Sequence, residues 1–248
     1  MRQCSGDPVA AYDAIAPHYD RLARQRQAYL AGIDRLVVDT IPRGSRTYLD
    51  VGAGTGERSL RIARAAGLPS VTLLEPSAAM LGPDPPNCTV LRVRAEQLGG
   101  IEARFDAITC LWNVLGHIFP RAARVAVLRQ FARLAAPGGS VFVDVNHRYN
   151  ARHYGVLPTA FRMLKDRIRP LESNGDVEAV WEFDGVRYRA KGHVFTDREM
   201  RGMAAAAGLA IARRWVVDYR TGAVRRSPLG GHLLFLMRPA PLTGSGKR

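Results

Sequence analysis

The sequence predicts an α/β fold, an open doubly wound sheet whose strands alternate with helices. Three observations carry that expectation. Short apolar runs of strand length recur at residues 47–51, 71–74, 89–93, 105–113 and 140–145. Segments of helical period separate several of them, with Leu60, Ile62 and Ala63 on the apolar side of the first. A glycine turn, with Gly52, Gly54 and Gly56 at alternate positions, joins the first strand to that helix. Side-chain-free residues there let the backbone approach a ligand lying at the helix N-terminus.

In chain order, residues 9–40 read as helical. Val9, Tyr12, Ile15 and Tyr19 have helical spacing, Pro17 interrupts them, and the pattern resumes at 22–38. The glycine turn is G-x-G-x-G, not the G-x-G-x-x-G of dinucleotide enzymes, and no Lys-Ser/Thr follows as a phosphate loop requires. Asp50 precedes the first glycine, where it would repel a pyrophosphate and favour a cationic or hydroxylated ligand face. The helix behind the turn runs to Ala66 and is stopped by Gly67-Leu68-Pro69. Glu75 ends the second strand, 19 residues after Gly56. An acidic residue at that place can accept hydrogen bonds from a ribose diol. Pro76 and Ser77 then open a short helix containing Met80 and Leu81. Ala95 and Glu96 follow the third strand. The fourth strand carries Leu111 and Asn113 to the C-terminal edge of the sheet, where open α/β sheets bind ligands, and His117 lies just beyond. A helix over 121–135 is stopped by Pro137-Gly138-Gly139 before the fifth strand, 140–145.

After Val145 the alternation breaks. Residues 148–195 read as an insertion: a helix over 158–168, then a β-hairpin turning at Asp184-Gly185. It leaves the sheet at its binding edge and reads as a lid. Its first residues and its hairpin offer Tyr149, Arg152, Tyr154 and Trp181 as substrate contacts. Thr196-x-x-Glu199 is a capping box for a helix ended by Gly208. Strands at 209–219 and 232–237, joined by a basic turn at 222–231, complete one domain, residues 1–240. Residues 241–248 form a polar tail expected to be disordered.

The 248 residues carry a net charge of +14, and residues 151–248 alone carry 18 basic and 9 acidic groups. Only three of the basic residues are lysines, which points to compositional bias more than to a nucleic-acid surface. No arginine-rich block with interleaved aromatics marks an RNA module. No run of 18 apolar residues spans a membrane. The N-terminal residues lack the apolar core of a signal peptide, and three scattered cysteines form neither a disulfide framework nor a zinc site. A cytoplasmic monomer or homodimer is the expectation.

Asp50-Val51-Gly52-Ala53-Gly54-Thr55-Gly56 resembles motif I of class I S-adenosylmethionine-dependent methyltransferases. Leu134-x-x-Pro137-Gly138-Gly139 before an apolar strand is similar to another feature of that family. The segment 111–118, Leu-Trp-Asn-Val-Leu-Gly-His-Ile, partly resembles its glycine-type N-methyltransferases. The resemblance covers residues 10–147 and 196–238. It implies a Rossmann-like seven-stranded sheet with an antiparallel last strand, and S-adenosylmethionine as cofactor. It also implies cofactor contacts from Tyr19, Asp50, Gly52, Ala53, Gly54, Gly56, Glu75, Pro76, Met80, Ala95, Glu96, Leu111 and Asn113.

Methyl transfer from a sulfonium asks the protein for alignment, exclusion of water and a proton acceptor. His117, His147 and Tyr149 are the candidates for that acceptor, and His117 and Tyr149 also for substrate contact. No resident metal is expected. Asp144 and Asn146 lie at the edge where a metal-dependent variant would bind, with no third carboxylate beside them in the pattern. A small-molecule acceptor is the leading reading. An RNA or protein acceptor, served by the basic C-terminal part, and an anionic or phosphorylated small acceptor, drawn by lid arginines, are the alternatives.

Overall fold

The computed structural model describes residues 7–241. Expectations for Cys4, the first residues and the tail beyond Pro241 lie outside the described residues. The five parallel strands are β1 (Thr47–Val51), β2 (Ser70–Leu74), β3 (Cys88–Leu91), β4 (Phe105–Cys110) and β5 (Ala135–Val145). Two hairpin strands, β6 (Asp176–Phe183) and β7 (Val186–His193), form a separate two-stranded sheet. The C-terminal strands are β8 (Leu209–Val217), β9 (Val224–Arg225) and β10 (His232–Pro239). The main sheet runs β3-β2-β1-β4-β5-β10-β8-β9, with β10 antiparallel to both β5 and β8. An eighth strand was not expected. It is the two-residue β9, which forms inside the basic turn by pairing with the end of β8.

The helices are α1 (Pro8–Ile15), α2 (Tyr19–Gln25), α3 (Gln27–Val38), α4 (Glu57–Ala66), α5 (Ala78–Leu81), α6 (Arg121–Leu134), α7 (Ala151–Tyr154), α8 (Val156–Ile168) and α9 (Asp197–Ala206). Central strands buried on both faces supply two cores. One face, with Ile108, Val143 and Phe235, packs under α6 and α9. The other, with Tyr48, Leu73 and Phe142, packs under α3 and α4.

Local chemistry explains the boundaries. Asp7 caps α1 by accepting from the Val9 amide, with Pro8 at the first helical position, so the helix starts one residue earlier than its apolar spacing suggests. Thr196 and Glu199 form the expected capping box at α9. Pro137-Gly138-Gly139 proves to be part of β5 and not a turn ahead of it. The register shifts between Phe105 and Ala107 of β4, so these residues bulge within a strand that already begins at Ala135. A side chain at Gly139 would press on the carbonyls of Ala136 and Phe105.

The root of the 148–195 segment is held by a buried ionic cluster. Arg148, 3% exposed in its side chain, pairs with Asp166 of α8 at 2.8 Å and with Glu199 of α9 at 2.6 Å. His193 reaches Asp176 at 2.7 Å in the same region. Burial opposes the ionised form of Glu199, but the neighbouring His193 at 3.8 Å, the charge of Arg148 and a bond from the Thr196 amide outweigh it and hold its carboxyl down at about 2.

Candidate active site

The C-terminal edge of the sheet opens into a cavity of roughly 1070 Å³, counting its mouth. Its floor is the loop after β1. Gly52, Gly54 and Gly56 all have left-handed φ, +77°, +59° and +76°, which L side chains rarely adopt. A Cβ on Gly54 would stand 3.4 Å from both Met80 Cε and Tyr19 Oη, inside the space a ligand would take. A Cβ on Gly56 would instead meet Leu73 and Leu81 at 3.0 and 3.2 Å. Gly56 therefore serves close packing of α4 on β2 and does not line the cavity, contrary to its expected contact role.

Glu75 ends β2 inside this cavity. Its Oε2 accepts from the Gly54 amide at 2.8 Å and its Oε1 from the Ser77 amide at 2.9 Å. Burial pushes its carboxyl above the usual range, against those two bonds. A carboxylate has about four lone-pair sites, so two remain for a diol. Asp50 accepts from the hydroxyls of Ser59 and Thr109, and burial also raises its carboxyl. Tyr19, Ala53, Pro76 and Met80 line the walls, with Ala95, Glu96, Leu111 and His117. This is a cradle of the size and polarity that a nucleoside with a methionine side arm requires.

Helix α1 closes the cavity like a strap fastened at three points. Arg94 donates twice to Asp7 at its N-terminus, 2.8 and 2.7 Å. Ser77 donates to Asp13. Tyr12 Oη lies 3.0 Å from His117 Nε2. The hairpin β6–β7 lies beside this strap. Phe183 stacks on His18 at 4.8 Å, and the Trp181 ring stands 5.9 Å from that of Tyr12.

A second cavity of roughly 650 Å³ lies between the hairpin and the sheet edge. Tyr12, Tyr19, Trp112 and His117 line both cavities. Trp181, Tyr219, Asn113 and Asn146 add to the second one, and among its described lining residues none is charged. Asn113 thus stands in the smaller cavity, not against the cofactor cradle as expected. Its amide is committed: Oδ1 accepts from the Asn146 amide at 2.9 Å and Nδ2 donates to the His193 carbonyl at 3.3 Å.

The structure does not bring the other candidates to either cavity. His147 is buried at the root of the insertion, beside Tyr149, and burial drives its imidazole down to about 4. Tyr149 donates to Asp166. Arg152 pairs with Asp218 at 2.8 Å. Tyr154 lies under the guanidinium of Arg162 at 4.1 Å. Asp144 is occupied by the hydroxyl of Tyr29 and the amide of Trp112, 2.6 and 3.0 Å, and burial pushes it up to about 6.

Against known families, residues 21–213 match the one described as "Methyltransferase domain". The chain belongs to that methyltransferase family. It is an S-adenosylmethionine-dependent enzyme with the class I fold. The cypemycin N-terminal methyltransferase of a Streptomyces species is 31% identical over 140 residues, 56% of this chain and 57% of that relative. The matched part is thus little more than half of the relative's length. The CcbJ methyltransferase of Streptomyces caelestis superposes with a TM-score of 0.68 at 18% identity, over 93% of this chain and 98% of that one. An amino pentose methyltransferase of Micromonospora echinaspora, solved with S-adenosylmethionine bound, gives 0.60 at 18% identity, over 89% and 96%.

Several cavity residues of the methyltransferase escaped the sequence reading. Trp112 is one: beside the expected Asn113, at +63°, it adopts a left-handed φ of +56°, which nothing in the local sequence announces for a tryptophan. Asp144 holds that turn by accepting from the Trp112 amide, while its own carbonyl accepts from the Asn113 amide. Arg58 and Arg94 reach the cavity wall because Asp34 and Asp7, remote in sequence, orient them. Asp7-Pro8 was a legible helix-start signal; its ion pair with Arg94 was not.

Proposed function

We propose that this methyltransferase methylates the nitrogen of a small-molecule amine. The cofactor would occupy the larger cavity and the acceptor the smaller. The observation that carries the reading is the junction: Tyr12, Tyr19, Trp112 and His117 border both spaces, so a donor and an acceptor can meet there. S-adenosylmethionine, when bound, supplies a methyl group already activated on a sulfonium. In this reading Glu75 takes the ribose diol, Ala95 and Glu96 the adenine edge, and the glycine loop the methionine part. The residues around the junction align the acceptor and exclude water.

An amine is favoured by the chemistry of the smaller cavity. Aromatic faces attract a cation, and no charged side chain among its described lining would repel one. An anionic acceptor finds no partner there. The lid arginines meant to draw it are engaged outside: Arg187 with Glu182, Arg189 with Glu178, Arg152 with Asp218. The relatives named for an N-terminus and for an amino pentose point the same way. Replacing Trp181 with alanine should raise the acceptor's KM about tenfold, the loss of roughly 1–2 kcal/mol of cation–aromatic contact, and leave cofactor affinity within a few fold. Phenylalanine should restore most of the loss. An unchanged KM for the alanine variant would remove the acceptor from this cavity.

His117 is the proton acceptor in this scheme. Its Nδ1 faces the Lys191 carbonyl at 2.9 Å, and a carbonyl only accepts, so Nδ1 carries the hydrogen. Nε2 then carries the lone pair, which accepts from the Tyr12 hydroxyl across the junction. Burial lowers the imidazole below its ordinary value near 6.5, so the basic form persists below that pH. The turnover of the wild type should therefore hold its plateau through pH 6.5 and fall only further into acid. His117→Asn should lower kcat about tenfold, a modest loss because alignment carries most of the rate, and should abolish that acid limb. An acid limb unaltered in the variant would assign the proton to another group.

A further inference from the structure

Helix α8 is amphipathic, but its faces are reversed. The side toward the protein is polar: Thr159 is buried, Asp166 binds Arg148 and Tyr149, and Arg162 donates to the Arg148 carbonyl. The apolar side faces outward. Leu157, Phe161, Leu164 and Ile168 are 82%, 68%, 54% and 75% exposed. Their spacing of four, three and four residues makes one straight seam along the helix, the pattern by which one helix packs on another. A surface helix normally turns such a seam inward, and a contiguous exposed one marks an interaction site.

We infer that this seam is the interface of a homodimer, in which α8 of one chain lies antiparallel on α8 of the other across a two-fold axis. Such an axis presents the same stripe from both sides, which a self-complementary apolar seam satisfies without any matched charges. The four seam side chains offer on the order of 500 Å², so two copies together bury on the order of 1,000 Å², the lower bound of a specific interface. Lys165, Arg167 and Arg169 are exposed on the flanks of the seam. In the dimer they form a rim of like charge around an apolar centre. Salt screens that repulsion and so strengthens the pairing. An acidic peptide or an anionic lipid surface on the same seam would behave oppositely, because those flanks would attract it and salt would weaken it.

The experiment is sedimentation of the whole chain over a range of concentration, at low and at moderate salt. The wild type should form a species of two chains whose dissociation constant falls as salt rises. Leu164→Asp and Phe161→Asp, each at the centre of the seam, should raise that constant at least about thirtyfold, the effect of losing a central interface anchor. Far-ultraviolet circular dichroism and binding of S-adenosylhomocysteine should be unchanged in both, because each side chain is more than half exposed and neither lines the cavities. A wild type that stays monomeric into the high-micromolar range at moderate salt would overturn the inference. So would variants that dimerise like the wild type, or wild-type monomers that float with phosphatidylserine vesicles at low salt and are released as salt rises.

Discussion

Replacing Gly54 with valine abolishes binding of S-adenosylmethionine while the protein keeps its fold; this is the largest effect expected of any single change in the cradle. Two independent reasons coincide at this position. The backbone sits at φ +59°, where a β-branched residue is a genuine outlier and costs on the order of 1–3 kcal/mol. The new side chain also grows from a Cβ already 3.4 Å from Met80 Cε and Tyr19 Oη, into the space between them. The site therefore loses its shape and its volume together. Calorimetry with S-adenosylhomocysteine should show no heat of binding, and thermal melting should show a cooperative transition lowered by several degrees. A folded variant with wild-type affinity would mean that the loop after β1 is not the cofactor cradle.

Replacing Glu75 with alanine should weaken cofactor binding at least tenfold, and more than a contact count for the ligand alone would suggest. The carboxylate is expected to accept from the ribose diol, with each charge-assisted bond contributing about 1.5–3 kcal/mol. It also accepts from the amides of Gly54 and Ser77, so it fixes the glycine loop and the start of α5 before any ligand arrives. Its removal leaves those amides without their partner and loosens the loop that the ligand needs preformed. Glu75→Gln keeps one accepting oxygen and should fall between the wild type and alanine. Equal affinity for the wild type and both variants, measured by calorimetry, would detach Glu75 from the ligand.

These two positions were legible in the sequence for a physical reason. Their roles are set by neighbours only a few residues away: a strand, a left-handed turn that glycine alone adopts freely, and a carboxylate at the end of the next strand. Met80 and Pro76 followed from the same local grammar. The order of elements was legible too, because buried parallel strands leave continuous apolar runs and capped helices announce their ends. What failed depended on where the chain goes after it leaves the sheet. His147 and Tyr149 follow β5 at the binding edge, but the chain there turns into the Arg148–Asp166–Glu199 cluster and away from the cavities. Arg152 and Tyr154 stand beyond it on the same path. Trp181 reaches the smaller cavity because hairpin alternation sets its side inward, while Val180 is 51% exposed on the other side. For α8, helical spacing defines a seam but cannot say which way it faces. Only the polar cluster beneath it, built from residues far apart in sequence, turns the seam outward.

In the proposed reaction a donor in the larger cavity meets an amine in the smaller one. Methyl-labelled S-adenosylmethionine, incubated with the protein and with matched primary amines, alcohols and carboxylic acids of the same carbon skeletons and with bulk RNA, tests it most directly. Label should appear on nitrogen, in the amine series only, with the transfer reduced when Trp181 is alanine and the acceptor is below saturation. Label on the carboxylic acids or on RNA, with the amines inert, would contradict it.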